Sequence, residues 1–442
     1  MKEVEKMLEE VRKEQRPTAA ENAAVAKIAG EFISRLDRAL RTAKVKAKPV
    51  VGGSGAKGTW LRGMHDIDVF VCFDYGRYKG KSAELSEFLA AAMKKAFPKH
   101  ERLHGSRDYF RIPSNGYNFE IVPILSIKKS GQALNITDVS LLHSDWVKKE
   151  VRKNKKAALD DEIRLTKAFC KAQRVYGAES YVRGFSGYAC EVLTAYYGSF
   201  LKLVSAASAK WKKQIAAGKK IIVDAANHYR KRDPLRELNQ AKIQSELIVI
   251  DPVQADRNAT AALSNETLNT FIEAAGAFIK KPEKNFFEKQ EITADKLRQK
   301  AEGKELIIVE ADPIRGKEDV VGAKLVKASE HMLLQLKEKG FAVAESGWEW
   351  EKNRKGPALL WYIVQKGEPK PEVRYGPPLN SREHAENFRK EHQGKKGRQL
   401  FEKSGRLYAK IERQYKQPQQ LVSHLIAEDG YLKDKAQHYS VK

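Results

Sequence analysis

The chain has 442 residues and carries 82 Lys plus Arg against 57 Asp plus Glu, a formal charge of +25. Its 42% apolar and 9% aromatic residues suffice for two or three ordinary cores and exclude wholesale disorder. No run approaches the roughly 18 apolar residues of a membrane span, and the charged N-terminus does not resemble a signal peptide. The three cysteines are widely spaced and follow no disulfide or zinc pattern. We therefore expect a soluble, cytoplasmic protein with no membrane partner.

A positive surplus of this size indicates a polyanionic partner, because Lys and Arg that neutralise phosphates release bound counterions. Nucleic acid is the leading candidate. The alternative is a high-salt or thermophilic surface, but such surfaces usually carry balanced ion pairs or an acidic excess. The charge therefore favours nucleic acid.

Residues 1–140 are predicted to form a small α+β domain with a mixed sheet. Hydrophobic spacing predicts a helix over 17–44, and Ser82 is placed to cap a second helix that follows it. Asn115 and Gly116 stand between two extended runs, which indicates a β-hairpin. The predicted strands are 48–51, 66–73, 102–112 and 117–125.

Residues 141–280 are predicted to form a helical middle domain, and residues 281–442 a second α+β domain with a helical tail. Helical spacing or strong helix formers mark 161–173, 187–204, 206–216 and 265–279. Beyond residue 280, extended runs alternate with helices. The predicted strands there are 306–311, 341–346, 358–364 and 406–414, and the predicted helices are 322–338 and 381–403.

The most informative stretch combines a glycine-rich turn at 52–55 with two acids on a strand. Asp66 and Asp68 share one face of that strand, because strand side chains alternate, and they can hold divalent cations between them. Such a pair alone is also compatible with a solvated strand end. Gly53 lets the backbone approach a phosphate and Ser54 adds a donor, although the turn alone is equally an ordinary tight turn. Together they indicate a metal-bound phosphate chain at a sheet edge.

Glu120 supplies a third acid. It lies on the second arm of the predicted hairpin among apolar residues, where an unpaired carboxylate would cost several kcal/mol. Its alternative role is a buried ion pair, with Arg111 as a candidate partner. If the hairpin pairs next to the strand of Asp66, Glu120 joins the same face, and three carboxylates suit two Mg²⁺ ions.

These residues carry a resemblance to a known family. A Gly-Ser turn, then Asp66-x-Asp68 and a distal strand carboxylate, is typical of the polymerase-β-like nucleotidyltransferase superfamily. Much more of the chain resembles one member, the archaeal-type (class I) CCA-adding tRNA nucleotidyltransferases. The matching stretches, in family order, are 59–61, 66–70, 120–123, 176–179, 182–188, 197–200, 251–253 and 257–258.

The resemblance implies template-independent addition of CCA to the 3′ end of tRNA, with CTP and ATP as substrates and pyrophosphate as product. It makes Asp66, Asp68 and Glu120 the catalytic ligands of two Mg²⁺ ions. The family usually has Glu-x-Asp and then Asp at these positions. Each exchange between Asp and Glu moves the carboxylate by one methylene, about 1.5 Å.

The resemblance also assigns nucleotide-binding residues. Lys57 stands where the family tends to have Arg, and Val139 where it usually has another Arg. Arg257 would select the base: together with phosphates of the bound RNA it would frame C and A, which share an exocyclic amino group, and reject U and G. The residues expected at the nucleotide are Gly53, Ser54, Lys57, Ser140, His143, Lys167, Tyr176, Arg257 and Asn258.

Three basic regions bear on the RNA partner. A stripe on one helix face, Arg164 to Arg174, is either solvated or part of the nucleotide cleft. Six basic residues crowd into 148–156, where a solvated linker is the alternative. Residues 381–420 hold eleven Lys or Arg against five Glu with interleaved aromatics, which suits structured RNA. The resemblance implies that this C-terminal domain contacts the acceptor stem and T-loop side of tRNA.

Two further hypotheses stay open. One is a poly(A)- or other RNA-tailing transferase, which the number of nucleotides added with CTP or ATP alone would distinguish. The other is a non-catalytic RNA-binding protein on the same scaffold, which would bind tRNA without releasing pyrophosphate. The oligomeric state is also open, with a homodimer as one candidate.

Overall fold

The chain forms two units in the computed structural model, Met1–Gln290 and Glu291–Lys442. The structure describes residues 2–154, 158–230, 232–350 and 356–442. Helices and strands are mixed in both units, which confirms the predicted α+β class. None of the described helices has the length and apolar character needed to cross a membrane. The domain boundaries at 140 and 280 stay predictions.

The segment before residue 126 alternates helices and strands around one sheet. Its elements are α1 (Lys2–Gln15), α2 (Ala19–Thr42), β1 (Ala47–Val51), α3 (Gly53–Lys57), β2 (Asp66–Phe73), α4 (Tyr75–Tyr78), α5 (Leu85–Ala96), β3 (Glu101–Leu103), β4 (Tyr109–Ser114) and β5 (Tyr117–Leu125). The strand order is β1-β2-β5-β4-β3, with β2 and β5 parallel and the other neighbours antiparallel. The predicted mixed sheet is confirmed.

Strand β2 divides its side chains between two faces. Ile67, Val69 and Val71 are buried in a core shared with α2 and α5. Asp66 and Asp68 therefore lie on the opposite face, because successive strand side chains alternate. Burial of the apolar set fixes which way the acids point, as the sequence predicts.

Asn115 and Gly116 form the tight turn between β4 and β5. Both have positive φ, 51° and 80°, as a two-residue hairpin turn requires for its twist to match that of the strands. The turn sets the register of β4 against β5, in which Arg111 lies opposite Glu120.

Helices dominate the segment from residue 140 to Gln290, as predicted, but it also holds a small sheet. Its elements are α6 (Ser140–Lys153), α7 (Leu159–Ala172), α8 (Gly187–Tyr197), α9 (Phe200–Ser205), a π-helical segment (Ala206–Trp211), α10 (Lys212–Ala216), β6 (Ile221–Asp224), α11 (Pro234–Glu237), β7 (Leu247–Asp251), β8 (Gln254–Asn258) and α12 (Asn265–Lys280). The sheet has the order β6-β7-β8. It was not predicted.

A buried ion pair holds the loop between β5 and α6. Arg107 donates to Asp138 Oδ1 at 2.6 Å, and Asp138 also accepts the backbone N–H groups of Leu125 and Asn135. Arg107 donates to Ser82 Oγ at 2.8 Å as well; Ser82 does not cap α5, so the predicted cap is wrong. Because the loop leads into α6, this pair fixes where α6 begins.

The unit Glu291–Lys442 contains two antiparallel sheets, with orders β10-β11-β9-β15 and β12-β14-β13. Its elements are α13 (Ala294–Lys300), β9 (Glu305–Asp312), α14 (Glu318–Glu338), β10 (Val343–Glu349), β11 (Ala358–Val364), β12 (Glu372–Pro378), α15 (Arg382–His392), β13 (Arg398–Lys403), β14 (Arg406–Ile411), α16 (Pro418–Glu428), α17 (Gly430–Lys433) and β15 (His438–Val441). The predicted helix 381–403 is wrong in its second half. Gly394 and Gly397 adopt positive φ, 72° and 73°, which separates α15 from β13.

Replacing Arg107 with Met should lower the free energy of unfolding by about 3–5 kcal/mol, because Asp138 would keep a buried charge without its cation. Urea denaturation followed by circular dichroism measures this loss. The matched control is Arg102→Met, which breaks surface pairs with Glu87 and Asp108 and should cost about 1 kcal/mol or less. An equal loss in the free energy of unfolding for the two variants would contradict a stabilising role for the Arg107–Asp138 pair.

Candidate active site

The register of β2 against β5 places two of the predicted acids side by side. In this parallel pairing Asp68 lies opposite Glu120, and Asp66 lies opposite Asn118. Asn118 Nδ2 donates to Asp66 Oδ1 at 3.2 Å. Asp66, Asp68 and Glu120 therefore share one face of the sheet, because paired residues of neighbouring strands point to the same side.

Glu120 also has the partner that the sequence offered as its alternative. Arg111 Nη2 donates to Glu120 Oε1 at 2.9 Å. Within the described part of the chain, no three His, Cys, Asp or Glu side chains are grouped so that they could hold a metal ion. The Glu120 carboxylate would therefore have to reorient before it could join a cation beside Asp68, either releasing Arg111 or keeping it on Oε1 alone.

The electrostatics of Asp68 indicate that a cation suits this face. Its pKa is raised to about 6, first by burial and then by the negative charge of Glu120, with a smaller contribution from Asp66; Lys57 and Lys167 oppose the rise. Carboxylate oxygens are the donors that Mg²⁺ prefers. A divalent cation at these acids would relieve their repulsion, so the donor set fits the predicted metal.

The glycine-rich turn lies directly against Asp68. Gly53 begins α3 with a φ of 56°, in the left-handed region. A Cβ at Gly53 would overlap the Asp68 carboxylate, so only glycine permits this approach. The Gly52 N–H also donates to the Asp68 carbonyl at 2.8 Å. The structure thus brings the turn, including Ser54, next to the acids.

A buried glutamate joins the two lysines predicted at the triphosphate. Glu191 of α8 is fully buried, and its carboxylate accepts from Lys57 Nζ at 2.7 Å and from Lys167 Nζ at 2.8 Å. The Thr59 hydroxyl donates to the same carboxylate at 2.6 Å. One carboxylate therefore holds cations from α3 and α7.

Tyr176 lies beside Lys167 across Gly187. A Cβ built on Gly187 would come within 2.8 Å of the Tyr176 hydroxyl oxygen and 3.8 Å of Lys167 Cε. Burial raises the pKa of Tyr176 well above its ordinary value. Its hydroxyl therefore stays protonated and can donate a hydrogen bond.

A second buried acid, Asp251 at the end of β7, gathers residues predicted near the base. Its carboxylate accepts from His143 Nε2 at 2.8 Å, from the Tyr188 hydroxyl at 3.1 Å and from Arg257. His143 stacks on Tyr188 with ring centroids 4.2 Å apart. Burial alone would raise the pKa of Asp251, but the hydrogen bond and charge of His143, with the charge of Arg257, lower it to about 2. Asp251 therefore stays ionised.

Ser140 lies on the same side of α6 as His143, whereas the Asn258 side chain bonds to the backbone around the Asp251 cluster. Ser140 begins α6 one turn before His143, so the two residues share a side of the helix. Asn258 is buried, and its side chain accepts from the Val249 N–H at 3.0 Å and donates to the Lys242 carbonyl at 2.7 Å. Its side chain is thus used to hold the backbone around β7 and β8.

The basic stripe of α7 is buried at its start rather than solvated. Arg164 donates to the carbonyls of Gly58 and Trp60 and pairs with Asp161. Lys167 is only 2% exposed. Arg164 therefore fixes the segment that follows α3, and the solvated alternative is wrong for these two residues.

Sequence reasoning missed Glu191 and gave no role to Thr59 or Asp251. The signal for Glu191 is the one that singled out Glu120, a lone acid in an apolar run, here GYACEVLTAYY. Thr59 and Asp251 lie within stretches that carry the family resemblance. Their roles depend on contacts across the fold that spacing does not show.

Three family profiles match successive parts of the chain. Residues 33–140 match a nucleotidyltransferase domain, 161–288 match the second domain of tRNA nucleotidyltransferase, and 303–434 match the C-terminal domain of the CCA-adding enzyme. The first match includes the three acids, and the second includes Glu191 and Asp251.

Archaeal proteins resemble most of the chain. The CCA-adding enzyme of Nanoarchaeum equitans is 34% identical over 323 residues, 72% of this chain and 73% of the relative. Those of Methanosarcina mazei and Pyrobaculum aerophilum are each 30% identical over 86% of this chain, and over 80% and 83% of their own lengths. Among solved structures, Cid1, described with RNA terminal uridylyl transferase activity, gives a TM-score of 0.51 at 13% identity, over 66% of this chain and all of that one. This last similarity supports the fold.

Divalent cations should bind more weakly as the pH falls through about 6, because a ligating carboxylate must be ionised and Asp68 holds its proton up to that pH. Titration calorimetry with Mn²⁺, in two buffers of different ionisation heat, should detect about half a proton released per bound cation at pH 6 and almost none at pH 8. Asp68→Asn should abolish the release. An affinity that is the same at pH 5.5 and pH 7.5 would contradict this prediction.

Proposed function

The chain belongs to the family of CCA-adding enzymes, and we propose that it adds CCA to the 3′ end of tRNA from CTP and ATP. In each addition the 3′-hydroxyl oxygen of the RNA bonds to the α-phosphorus of the nucleotide. The hydroxyl proton is lost, and the bond to pyrophosphate breaks. The observation that carries the proposal is the shared face of Asp66, Asp68 and Glu120 beside the Gly53 turn.

Asp66, Asp68 and Glu120 are the catalytic acids of this proposal, and they would hold two Mg²⁺ ions. Such ions, when bound, lower the pKa of an attacking hydroxyl and neutralise phosphate charge. Asp68 has the central position, because it neighbours both other acids and the turn. To ligate a cation, the Glu120 carboxylate would turn from its contact with Arg111 toward Asp68. The raised pKa of Asp68 supports the assignment, since burial and then the negative charge of Glu120 make its ionised form costly, and a bound cation would offset that cost.

Gly53, Ser54, Lys57, Lys167 and Tyr176 would bind the triphosphate. The turn lets the backbone come close to a phosphate, the two lysines supply positive charge, and the tyrosine hydroxyl supplies an uncharged hydrogen-bond donor. Phosphoryl transfer is accelerated mainly by positioning and by electrostatic stabilisation. Lys57 and Lys167 would provide both, because the buried Glu191 carboxylate holds each ammonium group.

Ser140, His143 and Arg257 would form the base side of the pocket. Asp251 supports this role, because its carboxylate holds the side chains of His143 and Arg257 in place. Arg257 and the phosphates of the bound RNA would then select C and A over U and G. Asn258 would act indirectly, by holding the strand pair that carries Arg257.

The tRNA would be bound largely through its phosphates. Lys149 and Arg152 of α6 are exposed, and the surplus of six basic residues in 381–420 suits the acceptor stem and T-loop side. Lys155 and Lys156 of the crowded basic run lie outside the described residues. Homodimer formation and a cytoplasmic location stay predictions.

Asp68→Asn should lower nucleotide incorporation by about a thousand-fold or more, since it removes a ligand of the catalytic cations worth several kcal/mol. Incorporation of labelled CTP into tRNA that lacks its 3′ end measures this, and filter binding should show unchanged tRNA affinity. Asp74→Asn is the matched control just beyond the far end of β2, where Asp74 caps α4 and forms an exposed pair with Lys46. Normal turnover by Asp68→Asn would exclude the proposed role.

Product length distinguishes CCA addition from general tailing. With tRNA that lacks CCA, CTP alone should add the two C residues, ATP alone should add nothing, and both together should add three residues and stop. Single-nucleotide gel resolution is the measurement. A ladder of A residues with ATP alone would favour an RNA-tailing transferase, and tRNA binding without pyrophosphate release would favour a non-catalytic protein.

A further inference from the structure

Glu191 is a fully buried acid without a place in the proposed chemistry. It lies in α8 among apolar residues, and its side chain has no exposed surface. Burying a carboxylate is costly unless it is both paired and hydrogen-bonded. Glu191 meets both conditions through Lys57, Lys167 and Thr59.

The partners of Glu191 come from two different parts of the site. Lys57 ends α3, directly after the Gly53 turn, whereas Lys167 lies in the middle of α7. Lys57 lies in the same short helix as Gly53, which abuts Asp68, and Lys167 is joined to Lys57 through Glu191. Glu191 thus connects two positive charges that would otherwise repel each other.

The two lysines differ in the donors they have left. Lys167 Nζ donates to Glu191 at 2.8 Å and to the carbonyl and hydroxyl oxygens of Thr59, both at 3.2 Å, which uses its three N–H groups. Among the described residues, Lys57 Nζ has a single hydrogen-bond acceptor, Glu191 Oε2. The side chain of Lys57 is 10% exposed, against 3% for Lys167. Lys57 is therefore the lysine with donors free to meet a phosphate.

We propose that Glu191 is a positioning residue, which directs the Lys57 ammonium to the nucleotide triphosphate through a carboxylate shared with Lys167. Lys167 acts as the fixed second cation behind Lys57. With one acid and two bases the trio keeps a positive charge, which a triphosphate would neutralise. The inference rests on the proposed function and adds an acid that makes no contact with substrate.

The charge state of the trio agrees with this geometry. Burial alone would raise the pKa of Glu191, but the charges of Lys167 and Lys57 and their hydrogen bonds lower it to about 2. Burial lowers the pKa of Lys167, and the charge of Glu191 opposes that effect. The carboxylate therefore remains ionised at neutral pH and keeps its hold on both lysines.

The test is Glu191→Gln, with Glu162→Gln as the matched control. Glu162 of α7 is also buried and bridges two partners, Arg12 and the Phe200 N–H, but neither belongs to the site. Steady-state incorporation at saturating tRNA should show that Glu191→Gln raises KM about tenfold or more for CTP and for ATP alike, because the phosphates are common to both. The tRNA Kd should stay within about twofold, and Glu162→Gln should leave KM unchanged even if it lowers stability.

A second pair of variants keeps the test decisive if Glu191→Gln does not fold. Glu191→Asp retains the charge but retracts it by one methylene, and it should raise KM in the same direction by a smaller factor. In a Lys57→Met background, either change at Glu191 should have little further effect on KM, because the positioned group is absent. Additive effects in this cycle would overturn the proposal.

Failure of this inference can be separated from failure of the proposed function. Suppose that the unmodified protein extends tRNA. If Glu191→Gln then has the KM of the unmodified protein, or if it raises both the nucleotide KM and the tRNA Kd, only the positioning role is wrong. If the unmodified protein does not extend tRNA, the proposed function fails. Equilibrium binding of tripolyphosphate then tests Glu191 by itself: weaker binding to Glu191→Gln but not to Glu162→Gln would support it, and equal binding would overturn it.

Discussion

The parallel register of β2 and β5 is the constraint on which the rest of the site depends. It places Asp68 beside Glu120 and turns Ile67 and Val69 into the core. Because strand side chains have a period of two, a slip of one residue would place the acids in the core in exchange for Ile67 and Val69. The large cost of that exchange makes the register secure. Core packing and the position of the catalytic acids are therefore determined by the same interaction.

Each lysine and arginine expected at the nucleotide, and the catalytic acid Glu120, already has a partner of opposite charge within the protein. Glu191 pairs with Lys57 and Lys167, Asp251 pairs with Arg257, and Arg111 pairs with Glu120. A ligand would then meet side chains that ionic contacts already hold in place, rather than solvated side chains that it must order. Side chains already held in place lose less conformational entropy on binding. Asp68 differs, since burial and then the negative charges of Glu120 and Asp66 raise its pKa, so that a cation would stabilise its ionised form.

Local signals predicted the elements that carry the acids. The helix over 17–44 and the strand over 66–73 follow from hydrophobic period, and the hairpin follows from Asn115-Gly116. The sheet β6-β7-β8 escaped prediction because β6 and β7 are short, mainly apolar runs with the same pattern as a buried helical segment, and β8 is a polar segment, QADRN. The chain at 381–403 was predicted as one helix from its helix-forming residues. Two glycines at positive φ end that helix early.

The site itself was predictable in its residue types but not in its connections. Asp66 and Asp68 could be selected as a pair on one strand face after a glycine-rich turn, and Glu120 as an acid among apolar residues. The reasoning used for Glu120, applied to α8, would have selected Glu191. Its partner Lys57 is 134 positions away in sequence, and no local pattern encodes such a pairing. Spacing can therefore identify which charges are buried, whereas only the fold shows how one carboxylate comes to hold two cations at a phosphate site.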